Sequence, residues 1–424
     1  MKWWDRLRSP EVALLGSNLL ARALGFVASL LVSRSLGVAS LGVYSGVLIT
    51  TASPTTPMSA VLANNATMLA VRHRADASMW QLLVSHAGLL LGSLLAAALG
   101  CGLMLASGNL LSSPLLDVRV LWLVAAGLVL GQLLSQVAMG VCHGADLSRQ
   151  AAWVSGGITL TALLLVYPVL HYFGLAGVMV QAMLVAVLPA LAMAFLLRRG
   201  TQAAHASRVP RAALSQQVKA LFWQAAPNMG ATVVNNATNW VSCIYLAERF
   251  HGHEGLGLVA ISLQWSALML LPVTSWSGRV MRALTLAHEQ GPAALQHEMA
   301  RQIRRCVGVT LLAVLPVLVL GHVIAMLYKA DAALLWPMLA INGLSALLAA
   351  VNVVYERAYF CLGEQRPWLR VSVLAYAAQM LLTLVMIHWT LLAVAVGNLL
   401  AIAMVMVVVS FNLKQRLHAG KVSA

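Results

Sequence analysis

Apolar residues fill this chain in runs of about 20, broken by short polar segments, from one end to the other. A helix of that length crosses the roughly 30 Å hydrocarbon core of a bilayer, because it rises about 1.5 Å per residue. The pattern predicts twelve spanning helices, roughly over 11–33, 39–62, 80–106, 119–141, 150–171, 174–197, 221–247, 256–278, 306–328, 333–355, 370–388 and 390–412. Little chain is left for a soluble domain. The first apolar run follows Lys2, Arg6 and Arg8 and continues through Arg22 without a convincing cleavage site, so it is expected to be the first span and not a removed leader.

Composition sharpens this into a class. Of 424 residues, 61% are hydrophobic and 9% charged, and the mean hydropathy is +0.84, values foreign to a water-soluble domain. The expected fold is an all-α polytopic membrane protein. A net charge of +15 would by itself suggest a nucleic-acid partner, but the cations follow the membrane. Of 27 Lys and Arg, 22 fall in one set of alternate loops; Arg34, Arg119, Arg249 and Lys329 make up the other set, and Arg22 lies inside a span. The positive-inside rule then puts both termini in the cytoplasm, in agreement with an even number of spans. The basic loops are expected to lie against anionic lipid headgroups, with no role for nucleic acid. Cys101, Cys142, Cys243, Cys306 and Cys361 sit singly in or beside spans and read as small apolar packers.

The polar segment 198–220 falls at the midpoint and divides the chain into an N-terminal lobe, 1–197, and a C-terminal lobe with a cytoplasmic tail, 221–424. A gapless shift of 215 residues pairs Arg34 with Arg249, Gly37 with Gly252, Leu41 and Gly42 with Leu256 and Gly257, Pro57 with Pro272, and His73 with His288. Upstream, a shift of 217 pairs Pro10 with Pro227 and Asn18 with Asn235. Repeats of six helices each are parallel in topology, so two six-helix lobes around a central cavity are expected.

Candidate chemistry lies in the polar residues within spans. At 3.6 residues per turn, Glu11, Asn18, Arg22, Gly25, Ser29 and Ser33 share an arc of roughly 80° on the first span. The seventh carries Asn228, Thr232, Asn235, Asn239 and Ser242; the fourth carries Gln132, Gln136 and His143; the tenth carries Asn342, Ser345, Asn352 and Glu356. Such stripes face either a watery cavity or a neighbouring helix that they hydrogen-bond. Arg22 is the sharpest signal, since an arginine facing lipid at mid-span costs from ~3 to over 10 kcal/mol. No carboxylate lies at mid-depth in a predicted span, because Glu11, Glu248 and Glu356 are near helix ends. The candidate substrate-binding residues are therefore Arg22, Asn18, Arg34, Asn235, Asn239, Arg249, Arg279 and Arg282. Fixed positive charge without a buried acid prefers an anion, and the guanidinium fork suits phosphate oxygens.

Other chemistries find no support. There is no phosphate-binding loop for ATP hydrolysis, and the pairs His288-Glu289 and His297-Glu298 lack the second histidine of a zinc site, so no cofactor or metal is expected. Every outer loop is short, which leaves no external domain for a membrane polymerase or ligase.

Taken together, the opening stretch from Asn18 through Arg22 to Gly25, then Ser33, Arg34 and Gly37, then Leu41, Gly42 and Tyr44, resembles the Wzx-type polysaccharide or oligosaccharide flippases. In the second half Gly255, Gly257, Gln264, Trp265, Pro272, Arg279 and Arg282 extend the resemblance over the whole chain. These flippases share a superfamily with multidrug and toxin extrusion transporters. The resemblance implies movement of an undecaprenyl-pyrophosphate-linked oligosaccharide across a bacterial inner membrane by alternating access, for surface polysaccharide assembly, either alone or beside a polymerase and chain-length regulator. The alternatives are a multidrug cation antiporter, a peptidoglycan-precursor flippase, and a membrane polymerase or ligase.

Overall fold

The computed structural model describes residues 10–73, 78–107, 116–200, 210–362 and 365–418. Every regular element among them is helical. In chain order these are α1 (Pro10–Leu36), α2 (Val38–Arg72), α3 (Met79–Ser85), α4 (Ala87–Ser107), α5 (Val118–Gly144), α6 (Ser148–Gly200), α7 (Arg211–Trp240), a π-helical turn (Val241–Leu246), α8 (Ala247–Glu289), α9 (Pro292–Val319), α10 (Gly321–Tyr328), α11 (Ala332–Cys361), α12 (Gln365–Met386) and α13 (Ala393–His418).

Length and hydropathy alone mark nine helices among the described residues as able to cross a membrane. Two of them are too long for one crossing. The stretch Ser148–Arg198 has 51 residues, about 75 Å of helix at 1.5 Å per residue, and it is broken at Gly174, with φ 61° and ψ −149°. The stretch Met229–Thr274 has 46 residues and is broken at Gly252, with φ 66° and ψ −169°. Both backbones lie where only glycine is unstrained. Each break is pinned. Gln181 donates to the Ala162 carbonyl at 2.7 Å across the first; beside the second, His251 meets the Ile387 carbonyl at 2.9 Å and Phe250 packs edge-on to His388 at 4.2 Å. Helix α2, 35 residues long, carries Pro54, Pro57 and a run of threonines and serines and is not among the nine. With the two breaks and α2 included, the helices match the twelve predicted spans. The chain is an all-α, multi-pass membrane protein.

The chain forms two compact units: residues 1–36 with 43–233, and residues 37–42 with 234–424. The division falls inside α7, whereas the polar midpoint segment lies upstream of it, and residues 201–209 of that segment are outside the described residues.

In the first unit α5 is packed on two sides through glycines. A Cβ on Gly131 would come within 2.8 Å of the Val187 backbone nitrogen on α6; one on Gly140 would lie 2.4 Å from the Ala63 carbonyl oxygen on α2, and one on Gly144 2.6 Å from that of Thr67. The Thr67 hydroxyl donates to the Ala63 and Gly140 carbonyls, tying α2 to α5. Close approach of small residues is what holds helices together where lipid removes the hydrophobic drive.

In the second unit α8, α9, α11, α12 and α13 share a core that includes Val280, Leu284, Leu295, Met299, Val354, Tyr359, Val371 and Val409. The same unit holds the first turn of α2. There Gly42 and Gly257 cross reciprocally: a Cβ on Gly42 would lie 2.0 Å from the His253 carbonyl oxygen, and one on Gly257 2.3 Å from the Val38 carbonyl oxygen. Both pairs, 42 with 257 and 38 with 253, are separated by the 215-residue shift. So are Gly37 and Gly252, which both take positive φ, 90° and 66°. The internal repeat thus appears as matched turns and a matched crossing.

Candidate functional site

Helix α1 places the predicted polar stripe in two different environments. Ser29 and Ser33 are buried, and the Ser29 hydroxyl donates to its own helix at the Phe26 carbonyl, a bond that lets a serine sit inside a span. Asn18 and Arg22 are exposed. The opposite side of this helix packs on α6, where Gly156 meets Ser17 and Leu20. Arg22 makes no hydrogen bond or ion pair among the described residues. Arg34 is exposed at the other end of α1, about 18 Å along the axis from Arg22, so the two do not form one clamp.

The second unit treats its polar stripe differently. Asn239 donates to Asn235 at 2.8 Å, and Gln379 on α12 donates to Asn239 at 3.2 Å. This chain of amides ties α7 to α12 next to the π-helical turn, where a widened backbone often marks a functional segment. Gly397 on α13 makes the room: a Cβ there would sit 2.5 Å from the Thr383 hydroxyl and 3.2 Å from the Gln379 carbonyl. The Gln379 side-chain oxygen and the Thr383 hydroxyl are buried and have no hydrogen-bond partner among the described residues. Sequence reasoning missed both, although they stand four apart on a predicted span, the spacing of one helix face.

The remaining candidates scatter. Arg249 is exposed and rests on Tyr245, 3.4 Å from its hydroxyl and 6.0 Å over its ring. Arg279 and Arg282 are exposed one turn apart on the last turns of α8. Elsewhere the structure spends predicted polar residues on packing. Gln132 accepts from the Thr55 hydroxyl, His143 meets Ser148 at 2.9 Å, and Asn352 donates to the Ile402 carbonyl at 3.0 Å. Asn342 and Ser345 are buried. The acids also differ from expectation. Glu248, at the end of a predicted span, is 3% exposed and lies 3.2 Å from His253.

One acid outside the predicted spans is tuned by its neighbours. Burial alone would raise the Glu298 carboxyl, but hydrogen bonds from Arg301 and Gln302 and the charges of Arg301 and Arg305 outweigh it and hold it below the usual range. Among the described residues no cluster of His, Cys, Asp and Glu is placed to hold a metal ion.

No protein-family model matches this chain, and no curated protein does. Solved structures do match. One is an inward-facing multidrug resistance MATE family transporter of the MOP superfamily, with TM-score 0.76 and 15% identity over 97% of this chain and 99% of that one. A second is the outward-facing conformation of such a transporter, at TM-score 0.63 and 16% identity over 97% of this chain and 95% of that one. A third is a MOP superfamily transporter from Pyrococcus furiosus Vc1 described by the reverse polarity of its binding pocket, at TM-score 0.62 and 16% identity over 99% of both chains. Along essentially its whole length, this chain has the fold of MOP superfamily transporters.

Proposed function

We propose that this protein is an alternating-access membrane transporter whose substrate is an anion, and specifically that it flips a polyprenyl-pyrophosphate-linked oligosaccharide across the cytoplasmic membrane. The observation that carries this is Arg22: an arginine near the middle of a spanning helix, exposed and without a protein partner among the described residues. An unpaired guanidinium at that depth is costly against hydrocarbon, so it belongs to a hydrated path, and its forked donors match phosphate oxygens. Moving an anion outward, with the inside negative, is favoured by ~2.3 kcal/mol per charge per 100 mV.

A second reading has its own support. The matched structures include multidrug resistance MATE transporters, so kinship of fold favours drug extrusion over oligosaccharide flipping. The buried Glu248 beside His253 offers a protonatable pair for such an antiporter. Against it stands the sign of the unpaired mid-span charge, and the reversed pocket polarity of the Pyrococcus transporter is a precedent for this fold serving another purpose.

Proteoliposomes containing the purified protein separate the two. A fluorescent polyprenyl-pyrophosphate oligosaccharide should become accessible to a membrane-impermeant quencher only in vesicles carrying the protein. Proton-driven ethidium movement with no scrambling of the lipid probe would instead establish the cation antiporter and overturn the flippase.

A further inference from the structure

Helix α9 enters its apolar stretch from a polar end, and its buried face is continuous across that change: Leu295, Glu298, Met299, Gln302, Cys306 and Thr310. The opposite face is built in three zones. His297, Arg301, Arg304 and Arg305 are exposed and, at about 100° per residue, share an arc of about 100° within about 12 Å of axis. Gly308 follows in the same arc, exposed, with nothing within 4 Å of where a side chain would begin. Beyond it come Leu311, Leu312, Leu315 and Val319, from 42% to 78% exposed. The face therefore runs from cationic to empty to apolar.

The cations are arranged and not merely present. Glu298, buried on the core side, forms an ion pair with Arg301 and accepts from Gln302 at 2.6 Å, which fixes the edge of the stripe. Arg304 and Arg305 make no bond among the described residues and keep their donors free.

We propose that this face of α9 is a binding site for one anionic phospholipid of the surrounding bilayer. The arginine stripe takes the phosphate, the Gly308 notch takes the glycerol region, and the leucine stripe takes an acyl chain. The order of the zones along one helix matches the order of parts in a phospholipid. The arginines lie at the end of the helix where the apolar stretch begins, which is headgroup depth, and the charge pattern assigns that end to the leaflet that attracts polybasic segments. The site is independent of what the protein transports.

Native mass spectrometry of the full chain in a neutral detergent tests this, with dioleoyl phosphatidylglycerol and dioleoyl phosphatidylcholine as probes. Phosphatidylglycerol should remain bound where phosphatidylcholine does not. The triple variant R301Q/R304Q/R305Q should lose roughly 10- to 100-fold of that preference, in line with several-fold per arginine. Gly308→Leu, with every charge intact, should also weaken retention. A lipid-free melting curve checks that the variants fold; if the triple does not, Arg304→Gln and Arg305→Gln, which break no internal bond, carry the test. Equal retention by wild type and these variants would overturn the site. So would displacement by equimolar glycerol 3-phosphate, which would mean a phosphate site without a tail, or by undecaprenyl phosphate, which would make it a substrate path.

Discussion

Helices α1 and α7 open matching halves of the sequence repeat, and each carries asparagines at corresponding places, yet the structure uses them in opposite ways. On α7, Asn235 and Asn239 are joined to each other and to Gln379, so their polar groups fasten helices. On α1, Asn18 and Arg22 are left exposed. A neutral amide can satisfy itself against another amide, whereas the Arg22 guanidinium finds neither an acid nor a carbonyl partner among the described residues. The comparison separates residues that fasten helices from residues that, under the proposed function, would meet the cargo.

That division can be broken by substitution. Arg22→Ala should reduce flipping of the polyprenyl-pyrophosphate probe by roughly 10- to 100-fold, the worth of a charge-assisted hydrogen bond, with Arg22→Lys partly restoring it. The melting temperature should hardly move. Asn239→Leu should do the reverse, costing about 0.6–1.7 kcal/mol of stability in a denaturation series while flipping by the folded fraction persists. A large transport loss there would put the α7 amides in the path and erase the contrast. Asn18→Leu should change flipping only a few-fold, since an exposed amide beside a dominant charge adds one neutral hydrogen bond, on the order of 1 kcal/mol. The smallest effect concerns Glu298, a polar group that is both buried and charged. Because its folded carboxyl sits below the ordinary value, it stabilises the fold at neutral pH and above about 4.3, and that contribution fades as pH falls through the lowered folded value. A Tm-against-pH profile should show this acid slope, and Glu298→Gln should flatten it.

Much of this architecture was legible in the sequence because a bilayer imposes one length and one polarity on every span. The breaks at Gly174 and Gly252 were readable as span ends even though the helices run on through them, since hydropathy counts crossings and not hydrogen bonds. The repeat showed itself through glycines, the residues whose positions backbone geometry dictates. The fate of each polar residue was not legible. Periodicity puts Ser29, Ser33, Asn18 and Arg22 on one face, but it holds no information on which part of that face meets another helix. Gln379 was invisible for the same reason: its value comes from Asn239, 140 positions away. Arg34, Arg249, Arg279 and Arg282 were grouped by charge, and charge carries no distance.

The Gly42 and Gly257 crossing binds two places in the gene to one fate. Each glycine yields its space to a carbonyl lying beside the other, so a side chain at either position opens the same crossing. In a deep mutational scan, these two codons should show the same profile, closed even to alanine. Once one is changed, changing the other should cost little more, because the damage is held in common.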